Sequence, residues 1–350
     1  MTSSAEASTP SRPPLVLTQG DPSGIGPEIT LAAWERLREN SPPFFVVGDP
    51  VLYGARAAVI DDASEAVAAF AKSLPVLPRP LVEPAKPGAP SVANAGCVLA
   101  SIDEAIDAVE EGRAAAIVTN PISKAILHRA GFDLPGHTEY LAQRSASEDD
   151  EAADGQAPAR GPVMMLVGGG IRVALATIHV PLRAVPDALT VESVVNVARV
   201  TAAALARDFG VEAPAIALCG LNPHAGESGD IGVEEIEIIN PAAKVLREDH
   251  GLDVTDALAA DGLFSARERA RYDAIIAMYH DQGLVPVKAL DFDNAVNVTL
   301  GLDVVRTSPD HGVAFGIAGQ GVARPDSLIA AIELAAEIAA RRATAARQIE

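Results

Sequence analysis

Leu15-Val16-Leu17-Thr18-Gln19-Gly20-Asp21-Pro22-Ser23-Gly24-Ile25-Gly26-Pro27-Glu28 compresses a strand, a turn and a helix start into one short stretch. Leu15 to Thr18 is a continuous apolar run, as expected of a strand covered on both faces. The glycines let the backbone turn tightly, and Pro27 suits the first turn of a helix. From Pro27 to Arg38 apolar residues recur at helical spacing. The same alternation continues outward. Phe44 to Val47, Ala114 to Val118, Val163 to Val167, Val173 to Ile178, Ala215 to Leu218 and Ala274 to Ala277 read as buried strands. Val98 to Glu111, Glu192 to Asp208, Glu234 to Glu248 and a final alanine-rich segment, Pro325 to Arg342, read as helices. This predicts an α/β protein with a largely parallel sheet.

Two stretches break the rhythm. Ser73 to Pro90 holds six prolines and reads as an extended surface linker. Residues 145–161, SASEDDEAADGQAPARG, are acidic and poor in large apolar groups, and read as a mobile insertion. Residues 1–14 read as a disordered tail with no apolar core of a signal peptide. No apolar run approaches the roughly 20 residues that span a bilayer. The net charge of -20 argues against nucleic acid and anionic membranes as partners, since both require a basic footprint. A phosphorylated ligand would need a local cluster of Lys, Arg and His against that global field. Cys97 and Cys219 have no metal or redox spacing and suit reduced thiols of a cytoplasmic protein.

Four motifs could carry chemistry. Gln19 to Glu28 offers a glycine turn and a helix start suited to an anion, but equally an ordinary strand-to-helix turn. The chain has neither GxGxxG nor GxxxxGK[ST], so the standard dinucleotide fingerprint and the P-loop are both absent. Gly136-His137-Thr138-Glu139 presents a His and a hydroxyl at a helix start, where Thr138 also serves as a simple cap. His179, His224 and His280 each follow a strand, the place where α/β folds gather ligands. Three imidazoles with an open fourth position would make a catalytic metal site, although each His alone also suits a structural role. In the last motif, Lys288, Asn297 and Arg306 offer donors for phosphate and carboxylate, or a solvated Lys and a surface ion pair.

Read in order, GDPSGIGPEI, TNPISKAIL, PGHTEYLA, TIHVPL, GLNPHAGESG, MYHDQGL and VNVTLGLDVVRTSPDHG resemble the 4-hydroxythreonine-4-phosphate dehydrogenase family, from about Leu15 to Leu334. The resemblance implies two α/β domains with a cleft between them, similar in architecture to isocitrate and isopropylmalate dehydrogenases, which hold NAD without GxGxxG. It implies a discontinuous first domain, 15–125 plus 295–345, and a second domain, 126–294, carrying a homodimer interface. It assigns His179, His224 and His280 to a divalent metal (Zn, Co or Mg), with the site completed across the dimer. His137, Thr138, Lys288, Asn297 and Arg306 match substrate-binding positions. Asp261 and Asp281 match acidic residues near the metal, and with Lys288 form the candidate catalytic set.

The implied reaction is NAD-dependent oxidation of 4-phosphooxy-L-threonine at C3, with NADP an open alternative. The 3-keto acid then loses CO2 to give 3-amino-2-oxopropyl phosphate, a step of pyridoxine 5'-phosphate biosynthesis. A paralogue acting on 4-phosphoerythronate, phosphothreonate or a cis-dihydrodiol is the alternative within the class. A catalytically idle metal- or phosphate-binding protein is the alternative outside it. Three residues depart from the family's habit: Gly169 and Asp303 stand where proline is common, and Val313 where threonine is.

Overall fold

The computed structural model describes residues 12–132, 140, 144 and 161–349. Residues 1–11, most of the acidic insertion, and His137 and Thr138 lie outside this set.

One twelve-stranded sheet organises the chain. Its strands are β1 (Leu15–Thr18), β2 (Phe44–Gly48), β3 (Ala57–Val59), β4 (Leu74–Pro78), β5 (Ile117–Val118), β6 (Val163–Gly168), β7 (Ile171–Leu175), β8 (Ala215–Cys219), β9 (Asp253–Leu258), β10 (Ala274–Ala277), β11 (Val296–Leu300) and β12 (Arg306–Pro309). Their order is β3-β4-β2-β1-β5-β12-β11-β6-β7-β10-β8-β9. Strands β3 to β12 in that order are mutually parallel, and so are β7, β10, β8 and β9. Between these blocks, β11 runs antiparallel to both β12 and β6, and β6 antiparallel to β7. The expected α/β fold is present, but the sheet is mixed rather than largely parallel.

The reversal has a local cause. β6 and β7 are joined by Gly169 and Gly170, at φ 59° and 75°. Two consecutive positive φ values make the tight hairpin whose twist matches its strands. A proline ring is locked near φ -65° and could not occupy position 169 in this hairpin. A Cβ there would also approach Leu290 Cβ to 2.5 Å.

Burial alternates across the sheet. Leu15 and Leu17 enter one core layer with Ile29, Ala33 and Trp34 of the helix Gly26–Leu37. Val16 enters the other with Ile102 and Ile106 of the helix Ala95–Glu110. In the second block, Ile275 and Ala277 pack with Leu284 and Val287 of the helix His280–Leu290. Ala274 and Ile276 face the layer of the helices Val191–Phe209 and Asn240–Glu248. The closing helix Asp326–Ile349 contacts β12, β11 and the helix Val191–Phe209, and so ties both blocks together. Its Arg342 grips the buried Asp208 at 2.7 Å, beside Arg207 at 2.9 Å.

The proline-rich linker expectation is corrected. Leu74 to Pro78 is strand β4, between β2 and β3. Burial of Leu74, Val76 and Leu77 outweighs the donors that Pro75 and Pro78 lack, and β3 is short. The expected helix from Glu234 begins instead with a π-turn, Glu235–Ile239, before the α-helix Asn240–Glu248. Among the described residues no single helix is long and apolar enough to cross a membrane.

Candidate functional site

A cavity of about 370 Å³ opens where the two blocks meet. The segment after β5 brings Thr119 to Ile122 and Lys124, β11 brings Asn297, and β12 with the following turn brings Arg306 to Gly312 except Thr307. From the second block come His179, four residues beyond β7, and His280, Leu284 and Lys288 on the helix that follows β10. Lys124, Lys288 and Arg306 share this wall with three histidines and one carboxylate, Asp310. The local basic cluster that an anionic ligand requires is therefore present in a strongly acidic chain.

Arg306 is 3% exposed, and hydroxyls orient its guanidinium. Nε and Nη2 donate to Thr119 Oγ1 at 3.1 and 2.6 Å, and Nη1 donates to Thr299 Oγ1 at 2.9 Å. Register explains this, because Thr299 lies directly opposite Arg306 on β11. Lys288 Nζ lies 3.1 Å from Asp310 Oδ2. Burial raises the Asp310 carboxyl above its ordinary range, with Lys288 opposing the rise. Burial likewise lowers the pKa of His311, against the Gly312 carbonyl and Asp310. In the neutral ring Nδ1–H donates to Gly312 O at 3.1 Å, which leaves Nε2 as an acceptor. Asn297 Oδ1, Asn120 Oδ1 and His311 Nε2 are buried without hydrogen-bond partners among the described residues. Buried polar atoms are ordinarily satisfied, so a set of unmet acceptors in one cavity wall marks a place prepared for a ligand's donors.

The rings of His179 and His280 stand 5.8 Å apart, centroid to centroid. His280 Nδ1 is 2.8 Å from Asp281 Oδ1. If that nitrogen carries the proton, the lone pair lies on Nε2, the tautomer of a metal-ligating histidine with a carboxylate behind it. Lys124 Nζ lies 3.5 Å from His179 Nδ1. His224 is not in this wall. It is exposed on the turn Pro223–Gly229 after β8, where His224, Ala225, Gly226, Glu227 and Ser228 all have positive φ. The four non-glycine residues in that run each cost roughly 1–2 kcal/mol in the left-handed region. Asp261 is exposed on the short helix Ala260–Leu263, which packs against the same turn and not against the cavity.

Two imidazoles suit a borderline divalent ion, but a catalytic site normally uses three protein ligands. Among the described residues no group of three His, Cys, Asp or Glu is close enough to hold a metal. Of the three histidines expected to bind metal, His179 and His280 line the cavity and His224 does not.

Of the expected residues, His179, His280, Lys288, Asn297 and Arg306 share the cavity, and Asp281 stands behind His280. Thr119, Asn120, Lys124, Asp310 and His311 join them without having been singled out. Their signal lay in TNPISKAIL and SPDHG, where no residue type stood out. The glycine turn after β1 packs against the segment that follows β5, while Pro22, Gly24, Pro27 and Glu28 line a separate cavity. Asp21 N donates to Pro121 O at 2.9 Å, and a Cβ on Gly20 would meet that oxygen at 2.6 Å, so the turn buttresses the floor of the histidine-lined cavity from behind.

A family model described as pyridoxal phosphate biosynthetic protein PdxA matches residues 40–335. The chain is 52% identical over 341 residues to 4-hydroxythreonine-4-phosphate dehydrogenase of Methylorubrum populi, covering 94% of this chain and 95% of that protein. It resembles the crystal structure of 4-hydroxythreonine-4-phosphate dehydrogenase from Klebsiella pneumoniae with a TM-score of 0.80 at 36% identity, covering 93% and 99% of the two chains. A terephthalate 1,2-cis-dihydrodiol dehydrogenase from Burkholderia xenovorans superposes with a TM-score of 0.60 at 28% identity, covering 92% and 97%.

Proposed function

The chain belongs to the PdxA family of 4-hydroxythreonine-4-phosphate dehydrogenases, oxidoreductases of pyridoxal phosphate biosynthesis, and on that premise we propose how its cavity performs the reaction. The substrate is 4-phosphooxy-L-threonine. Arg306, held by Thr119 and Thr299, and Asn297 secure its anionic and polar groups, with His137 and Thr138 completing that set. The family implies a nicotinamide cofactor and a divalent metal. We take these as NAD and an ion of the Zn, Co or Mg class, on His179, His280 and His224. Such an ion supplies Lewis-acid activation of the C3 hydroxyl.

When bound, the nicotinamide would serve as acceptor of the C3 hydride. Lys288 relays the hydroxyl proton, and Asp310 steers the ammonium into the cavity. Asp281 orients His280, and Asp261 belongs with the His224 turn. The resulting 3-keto acid breaks its C2–carboxylate bond, CO2 departs, and a proton returned to C2 gives 3-amino-2-oxopropyl phosphate. An adjoining cavity of about 250 Å³ shares Asp310, His311 and Gly312 with the first, and is our candidate for the nicotinamide end of NAD.

The third ligand comes from a second copy in this reading. His224 stands outside the cavity of its own chain, and Ile231, Val233 and Ile236 nearby are exposed apolar side chains suited to a homodimer contact. We keep the two-domain division, with 15–125 plus 295–345 forming the first and 126–294 the second. The sheet order supports it, because every strand of the first group lies on one side of the β11–β6 contact. A cytoplasmic location belongs to the same reading.

The observation that carries the substrate is the convergence of Lys124, Lys288 and Arg306 on one cavity in an acidic chain. NADH formation with 4-phosphooxy-L-threonine, 4-phosphoerythronate, phosphothreonate and a terephthalate cis-dihydrodiol tests it, with NADP run in parallel. Turnover highest on 4-phosphooxy-L-threonine is expected. Preference for another member would move the chain to the paralogue, and turnover on none, with metal present, would leave a binding protein.

A further inference from the structure

We propose that Glu235 is a positioning residue that clamps the left-handed turn presenting His224; this rests on the reading of His224 as a metal ligand. Glu235 is 2% exposed and makes no salt bridge among the described residues. A buried carboxylate without a cation is costly unless its hydrogen bonds are put to use. Its bonds go to one residue. Oε1 accepts from Asn222 N at 2.7 Å, and Oε2 accepts from Asn222 Nδ2 at 3.0 Å. Asn222 immediately precedes the turn, and its carbonyl accepts from Ala225 N at 3.1 Å.

Packing closes the other side. A Cβ on Gly226 would meet Glu235 Oε2 at 2.6 Å and Gly232 O at 2.7 Å. A Cβ on Gly232 would meet Asn222 Nδ2 at 2.1 Å. The carboxylate thus fills the space beneath the turn and fixes both the backbone and the side chain of the residue that launches it. The anchor adds to the turn's own bonds, Ile231 N to Gly226 O at 3.1 Å and Asp230 N to Glu227 O at 3.2 Å, in holding His224, Ala225, Glu227 and Ser228 at the positive φ that only Gly226 adopts without cost. Glu235 is also the first residue of the π-turn Glu235–Ile239.

The test titrates Co²⁺ into the full-length apoprotein by calorimetry and by the visible absorption of the bound ion, for wild type, His224→Ala, Glu235→Gln and Glu235→Gln/Ala225→Gly. Glu235→Gln keeps the volume but sets an amide N–H₂ against that of Asn222. It is expected to weaken Co²⁺ binding about 10- to 100-fold, as loss of a supporting shell does. Ala225→Gly, which removes the φ penalty inside the turn, is expected to restore part of that loss. If Glu235→Gln does not fold, Asn222→Ala removes the side-chain bond from the opposite end together with that to Glu234 Oε2 at 2.7 Å, and is read in the same way against Glu234→Gln, which is expected to leave Co²⁺ affinity unchanged. Unchanged affinity in the clamp variant, with binding lost in His224→Ala, overturns the proposal and spares the ligand assignment. Weakened binding that Ala225→Gly fails to restore also overturns it. Unchanged binding in His224→Ala overturns the ligand assignment, and the clamp with it.

Discussion

Arg306 and His224 are both functional candidates, and the chain holds them in opposite ways. Arg306 sits inside a regular strand, and its cross-strand partner Thr299 orients the charge. His224 sits beyond the end of a strand, on a turn of left-handed residues, exposed and outside the cavity of its own chain. The anion wall is therefore finished when one chain folds. The metal site we propose is not, because His179 and His280 line the cavity and His224 does not. In the proposed reading, binding of the substrate's anionic groups is built into the sheet, whereas the third metal ligand depends on a strained turn and a second copy.

The comparison breaks most visibly at Arg306. Arg306→Ala removes a buried cation that would face a charged substrate group, a loss of about 4 kcal/mol, or roughly a thousandfold in kcat/KM. Metal content should stay at wild-type level, and a parallel loss of metal in elemental analysis would show that wall and metal site are not separate. Arg306→Lys should recover little, because a point charge cannot reproduce the fork set by Thr119 and Thr299.

The frame behind the wall is tested at Asp208. Its carboxylate is buried between Arg342 and Arg207, and although burial opposes ionisation, these two arginines hold it below the usual carboxylate range. A depressed folded pKa contributes stability that is present above the unfolded value and is lost as pH falls through the folded one. Asp208→Asn should cost about 2 kcal/mol at neutral pH, discounted because Arg207 is partly exposed. Denaturant unfolding of the variant should also lose part of the wild type's decline in acid. An identical acid profile would contradict the pairing.

Asn297→Ala is the smallest of these changes. Its Oδ1 is buried and unmet, so the variant forfeits one ligand hydrogen bond and about 1 kcal/mol, seen as a several-fold rise in KM. An unchanged KM would remove Asn297 from the substrate wall.

Much of this was legible in the sequence, and the parts that were not share a reason. β1, β2, β6, β8, β10 and the Val173–Leu175 part of β7 were readable because each is a largely apolar and buried run. β11 and β12 were not, because Asn297, Thr299, Arg306 and Ser308 interrupt them, and these are the polar residues the cavity needs. β4 was hidden by its prolines, whose local preference yields to burial of Leu74, Val76 and Leu77. The family motifs supplied His179, His280, Lys288, Asn297 and Arg306 together. No local pattern distinguished Asp310 or His311, since their role comes from burial against Lys288 and Gly312. The clamp at Glu235 was invisible as well, because an acidic residue at the start of a helical segment reads as a favourable surface charge.

The division of the metal site between two copies is tested most directly by mixing two variants, His224→Ala and His280→Ala, each expected to be inactive alone. Unfolding and refolding them together at equal concentration lets subunits pair at random. If His280 of one copy works with His224 of the other, half the dimers are mixed and each has one intact site, so activity should return to about a quarter of wild type. If all three histidines act within one chain, no intact site can form, and activity that stays at the level of the separate variants would contradict the shared site.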